Sequence, residues 1–174
     1  MNMPPPLQSK SYKLQESHLH SAARKVATES MTQAAAEIHS TVGDQTLAEA
    51  HISADGTWQK RGYSSLHGIT NIVSMVTGKV LDTEILTQFC KHCSLYNNDV
   101  KNSLTFDLWR AEHSAKCTAN FKGSSGAMEP AGIEAMFKRS VEKHRLLYTS
   151  LYCDGDSKSY DRVKHIYKAH HGKR

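Results

Sequence analysis

Between Ser17 and Ser40 the apolar residues Leu19, Ala23, Val26, Ala27, Ala34 and Ile38 recur at helical spacing, with Glu, Lys and Gln on the other faces. This pattern predicts one long helix or two shorter ones. Pro4 to Pro6 before it form a stiff, extended lead-in, and Gly43-Asp44 after it reads as a break. The period then drops to two. Ala50 to Asp55 (AHISAD) reads as a short strand that places Ser53 and Asp55 on one face. Gly68 to Val76 (GITNIVSMV) is a β-branched run, Thr77-Gly78 a hairpin turn, and Lys79 to Leu86 (KVLDTEIL) the returning strand. Together the three predict an antiparallel meander.

Residues Cys90 to Gly126, rich in Asn, Gly and Ser, read as a loop-like insertion rather than core. Glu129-Pro130 opens a helix, with proline at a tolerated first-turn position and Ile133, Met136, Phe137 and Val141 facing the core. Leu146 to Tyr152 (LLYTSLY) is a further strand, running out at Asp154-Gly155-Asp156. Lys158 to His170 reads as a second helix, with Tyr160, Val163 and Tyr167 on one side. The expected organisation is an α/β (α+β) chain: a helical extension over 1–46, then 47–174 as a meander followed by helix, strand and helix, interrupted by an insertion at 88–128.

Composition adds little to this picture, and charge adds more. Hydrophobic residues make up 39% and charged residues 22%, which argues against wholesale disorder. No apolar run approaches the roughly 18 residues of a membrane span, and the opening MNMPPPLQSKSY lacks the apolar core of a secretory signal. An intracellular protein is the expectation. The net charge of +5 is uneven: residues 138–174 carry ten Lys or Arg against four Asp or Glu. A basic end of this kind suits a polyanion such as DNA, although a solvated helix face would carry the same charge.

Two constellations carry candidate chemistry. Cys90-x2-Cys93 and His113-x3-Cys117 place four soft or borderline ligands in two close pairs, 19 residues apart, which suits a tetrahedral structural Zn²⁺. An ordinary set of buried thiols is the alternative. His92 competes as a ligand but sits inside the Cys pair, and Cys153 reads as a packed thiol. The second constellation is a pair of carboxylates at strand ends, Asp55 and Asp154. Such oxygen donors on rigid elements can hold Mg²⁺ for phosphoryl transfer, but strands also end in Asp for turn-forming reasons. Trp58, Lys60 and Arg61 follow Asp55 closely and either touch a DNA backbone or divide between core and solvent. Lys158, Arg162, Lys164 and Lys168 are candidate phosphate contacts. Glu129 reads as a helix-start residue.

The segment DGTWQKRGYSSLHG, Asp55 to Gly68, resembles the signature of the Mutator-like transposase domain. The resemblance continues through TGKVLDTEIL (Thr77 to Leu86), CKHCSL (Cys90 to Leu95), EHSAKCTANFKGSSGAMEP (Glu112 to Pro130), RSVEKHRLLYT (Arg139 to Thr149) and DGDSKSYDRVK (Asp154 to Lys164), so it spans essentially the whole chain. It implies a ribonuclease H-like fold and a DDE-type active site that cuts and joins DNA with Mg²⁺. Asp55 matches the first acid, and Asp154 is the choice for the second, with Asp156 the near alternative. The third acid, a Glu from a later helix, and the remaining strand and helix of the core are expected beyond residue 174. The expectation is therefore a fragment, incomplete as a catalyst, with DNA at transposon ends as partner, a nuclear location, and self-association open. A domesticated or decayed copy that binds DNA or protein without catalysis is the alternative.

Overall fold

The structure, a computed structural model, describes residues 8–43, 46–60, 64–96, 104–154 and 157–167. Its elements are α1 (Ser9–Val42), β1 (Ala48–Trp58), β2 (His67–Ser74), β3 (Val80–Thr87), α2 (Lys91–Leu95), α3 (Leu104–Ser114), a 3-10 turn (Ser125–Ala127), α4 (Met128–His144), β4 (Leu146–Tyr152) and α5 (Ser157–Val163). This is a mixed α+β chain built on one four-stranded sheet of order β3-β2-β1-β4. The expected meander is there: β1 pairs antiparallel with β2 and β2 with β3. β4 joins the other side of β1 in parallel.

Alternation along the strands gives the sheet two unlike faces. Ala48, Ala50, Ile52 and Ala54 of β1, with Ile72 of β2 and Leu146 and Tyr148 of β4, bury one face. Against them α4 lays Ile133, Met136 and Phe137, the spacing that keeps apolar side chains on one side of a helix. α5 packs on α4 through Val163 and through Tyr167, whose ring stacks on Phe137 at 5.7 Å. The Tyr167 hydroxyl lies 2.6 Å from the Ser140 hydroxyl. The opposite face carries Ser53, Asp55, Asn71 and Thr83 among exposed Ile69, Ile85 and Tyr152. α4 ends at Arg145, whose left-handed backbone (φ 57°) returns its N–H to the carbonyls of Ser140 and Val141.

Several elements differ from the sequence expectation. α1 is one helix that begins eight residues earlier than expected, yet only Ala34, Ala35 and Ile38 of it are buried. Leu19 and Val26 are exposed, so helical periodicity there reports a helix without reporting a covered face. α1 stops at Gly43, which takes φ 83°. β1 runs three residues past Asp55, because Gly56, Thr57 and Trp58 still pair with Thr70, Ile69 and Gly68; Asp55 lies inside the strand, not after it. The insertion is not all loop, since α2 and α3 form within it. α5 ends at Val163 with a turn through Tyr167, well short of His170, and residues 168–170 lie outside the described residues.

α4 approaches the sheet closely at Gly132. A Cβ there would meet Thr70 Oγ1 at 2.7 Å and Thr70 Cβ at 2.9 Å. Thr70 is fully buried and has nowhere to turn. Gly132→Ala gains about 1 kcal/mol of helix propensity, but overpacking a closed interface costs about 1–3 kcal/mol. The expected outcome is a net loss of about 1 kcal/mol in urea unfolding. A gain would mean that α4 can lift off the sheet without cost.

Candidate functional site

The insertion leaves the sheet at the end of β3, and Asn120 ties it back. Asn120 accepts from the Thr87 N–H at 2.7 Å and donates to the Ile85 carbonyl at 2.8 Å, while its own N–H donates to the Thr87 carbonyl. Thr118 adds a hydroxyl bond to the Phe89 carbonyl. These anchors bring the two sequence-distant ligand pairs together. Cys90 caps the start of α2, Cys93 lies within α2, His113 lies in the last turn of α3, and Cys117 follows it.

His113 Nε2 lies 3.3 Å from Cys90 Sγ and 3.2 Å from Cys93 Sγ, and Cys93 Sγ lies 3.7 Å from Cys117 Sγ. All four ligand atoms fall within 4.8 Å of one another. A tetrahedral zinc site with its usual bond lengths has S···S edges of about 3.8 Å and S···N edges of about 3.6 Å. The donor set fits such an ion. The electrostatics agree: the backbone N–H groups of Cys93 and Thr118 pull the Cys90 thiol down to about 4, while burial and the neighbouring Cys117 and Cys90 sulfurs push Cys93 up to about 11. Crowded thiols resist joint ionisation unless a cation sits among them. The cluster can therefore hold a metal ion such as zinc. His92 is exposed and outside the cluster, with its ring centroid 5.7 Å from that of His113. Cys153 is half-buried and lies elsewhere, at the end of β4.

The carboxylate pair is placed by the one parallel strand pairing among the described residues. The β1–β4 register ends at Ser53↔Tyr152, and Asp55 and Asp154 each lie two residues further along. Both are exposed. By alternation Asp55 shares its face with Ser53, the face turned away from α4. Asp55 pairs across the sheet with Asn71, whose Oδ1 accepts from the Thr83 hydroxyl at 2.8 Å. Among the described residues neither carboxylate takes part in an ion pair. Asp156 lies outside the described residues. Glu129 sits in the first turn of α4, against Gly56 on the opposite side of the sheet from Asp55.

The basic residues divide. Lys60 is exposed just past β1, and Arg61 and Lys168 lie outside the described residues. Arg162 pairs with Glu134 at 3.0 Å and Lys164 with Asp161 at 2.6 Å, while Lys158 is exposed at the start of α5. Arg139 and Lys143, part of the same basic end in sequence, turn inward to the buried Asp82. Part of the basic end is thus paired with acids of the same chain, although Arg139 and Lys143 keep 31% and 38% of their side chains exposed. Trp58 packs rather than projecting: its indole donates to the Ser125 carbonyl at 3.1 Å and lies against Gly68.

Sequence reasoning missed Asn120, which looks like any loop asparagine. It also missed the ring cluster of Tyr96, Phe106 and Trp109 beside His113, although Phe106, Trp109 and His113 stand at helical spacing.

Sheet and insertion together define a mixed α+β protein carrying a Cys₃His cluster that can hold a metal ion. The chain matches the Mutator-like transposase family over residues 1–173 and belongs to it. No curated protein and no solved structure matches it. No described helix is long and apolar enough to cross a membrane.

Proposed function

We propose that this chain is a fragment of a DNA transposase, with residues 1–46 as a helical extension and 47–174 as part of a ribonuclease H-like domain whose Asp55 and Asp154 hold Mg²⁺. The carrying observation is the parallel β1–β4 register, which runs out at Ser53↔Tyr152 and leaves Asp55, inside β1, and Asp154, just past β4, each two residues beyond the last paired position and exposed. The strand order β3-β2-β1-β4, a meander followed by helix, strand and helix, supports the ribonuclease H-like reading. Unpaired carboxylate oxygens on strands suit a hard cation that keeps several waters. When bound, Mg²⁺ would supply activation of the attacking oxygen and stabilisation of the leaving one.

The remaining residues have supporting roles in this reading. Lys60, Arg61, Lys158, Arg162, Lys164 and Lys168 contact DNA phosphates, giving affinity without sequence preference. Zn²⁺ at Cys90, Cys93, His113 and Cys117 fixes the insertion. DNA as substrate places the protein in the nucleus.

The test is a calorimetric titration of the zinc-saturated chain with Mn²⁺, a softer stand-in for Mg²⁺. Asp55→Asn and Asp154→Asn should each weaken binding by about tenfold or more, as loss of a charged ligand does, without lowering the melting temperature. Unchanged affinity in both variants would sink the site. A second reading, a non-catalytic binding module, is favoured by α3, which exposes Leu104 and Leu108 and buries no residue of its own. That reading gains if Mn²⁺ does not bind at all.

A further inference from the structure

α3 is a helix of 11 residues with no buried residue, and a helix that short is marginal in water on its own. One of its faces is nevertheless organised. Phe106, Trp109 and His113 are half-buried while Leu104, Asp107, Leu108, Arg110, Ala111 and Glu112 are exposed. The indole of Trp109 lies flat on the His113 imidazole, centroids 4.8 Å apart and planes 9° from parallel. Behind it, Tyr96 lies 4.1 Å from the indole and 5.3 Å from Phe106, which itself stacks on Trp109 at 5.7 Å. These rings form a short wall with the imidazole at its end. The edge of the stacked His113 ring presents Nε2 to the Cys90 and Cys93 sulfurs.

We infer that Trp109 is the positioning residue of the metal ligand His113, a step that rests on the Cys₃His cluster binding zinc. An imidazole turns about its last side-chain torsion in a broad, roughly two-fold well, so an unsupported His113 would spread Nε2 over many directions. A flat indole at contact distance removes most of that freedom before the metal arrives. It also favours the loaded state, because a ring nitrogen bound to a dication makes the imidazole electron-poor, and an electron-rich indole face attracts such a group. Tyr96 and Phe106 keep Trp109 in place from behind. The wall is what α3 has instead of a core, and it joins the first ligand pair, through Tyr96 just past α2, to the second.

Partners that orient a metal-bound histidine are worth about 10–100-fold in affinity, and the Trp109 stack is expected to reach the lower end of that range. Zinc affinity of the full chain is measured by competition with a chromophoric chelator for wild type, Trp109→Leu and Trp109→Phe. Trp109→Leu should bind about tenfold more weakly, and Trp109→Phe, which keeps a stacking ring, should recover most of the difference. Co²⁺ loading supplies a signature that general destabilisation would not give: the visible absorption of the tetrahedral ion should shift and broaden in Trp109→Leu. Equal affinity and an unchanged Co²⁺ spectrum in Trp109→Leu would overturn the inference while leaving the metal site standing. Absence of zinc from the wild-type chain would remove the site itself. Loss of affinity in both variants alike would also overturn it, since stacking would not be what Trp109 contributes.

Discussion

Replacing Cys93 with serine is expected to weaken zinc binding by a few hundredfold and to melt the insertion while the sheet stays folded. A structural zinc site contributes about 10–16 kcal/mol of apparent binding energy. One ligand of four carries about 3–4 kcal/mol of that, roughly a few hundredfold in affinity. The locality of the effect follows from burial. Between Lys91 and Ser124 no described residue is buried, and α2 and α3 contribute none to the core. The core around Ile52, Ile72, Ile133 and Met136 contains no residue of the insertion. Hydrogen exchange is the decisive measurement. Amides of α3 should lose their protection in Cys93→Ser and in chelator-treated wild type, whereas those of β1 and β2 keep theirs. Retained protection in α3 without metal would mean that the aromatic wall alone holds the helix. Loss throughout the sheet would mean that insertion and core unfold as one unit.

The contrast between insertion and sheet also explains how much could be read in advance. The meander was legible because β2 alternates between a buried and an open face and is joined to β3 through Thr77-Gly78, where Gly78 takes φ 67°. β4 was legible to the residue, since a run of leucine and tyrosine follows the end of a helix and is itself followed by the polar sequence Asp154-Gly155-Asp156. The Cys₃His cluster was legible because its spacing is itself the signal, and distance along the chain does not weaken it. α2 and α3 were not, because short helices that bury no residue have no buried stripe to display. The strand was read only as far as Asp55, but β1 continues through Gly56 to Trp58. The glycine is required where Glu129 would crowd any Cβ, at 3.0 Å, and the strand continues through it. Local sequence also could not reveal that Arg139 and Lys143, which read as surface charge, answer an acid 57 and 61 residues away. Only the packing of α4 on β3 makes that pair.

That pairing carries the second large expected effect. Asp82 is fully buried and accepts from Arg139 Nε at 2.6 Å, from Lys143 Nζ at 2.7 Å and from the Thr83 N–H at 2.9 Å. Arg139 also bonds the Thr83 carbonyl and Glu84, so one guanidinium fastens α4 to β3 at three points. Burial alone would raise the Asp82 carboxyl, but the hydrogen bonds and charges of Arg139 and Lys143 outweigh it and hold the group below its ordinary value. Arg139→Met keeps the stem's packing and strands a buried carboxylate with Lys143 as its single cation. Breaking a buried pair in this way costs about 3–5 kcal/mol, and partial exposure of Arg139 favours the lower end, about 3 kcal/mol, at neutral pH. Acid should shrink this difference. With a depressed folded value, the stability that Asp82 contributes to wild type is present above the unfolded value near 3.8 and is lost as pH falls through the folded one. In the variant, burial acts with less opposition, the carboxyl protonates at higher pH, and the penalty disappears earlier. His144 adds an earlier slope, shallower in the variant because one of the charges that depress it is gone. Burial holds it below 6.5, against the weaker upward pull of Asp82 and with Lys143 and Arg139 pushing the same way as burial. The unfolded chain therefore takes up that proton first, and stability declines as pH drops below about 6.5. Urea unfolding of wild type and Arg139→Met at pH 7, 5 and 3.5 reads all three effects. A gap near 3 kcal/mol that closes toward pH 3.5 is the expected result. A constant gap would assign the loss to packing of the arginine stem, and a gap below about 0.5 kcal/mol would show that Lys143 and the Thr83 N–H suffice to hold the buried acid.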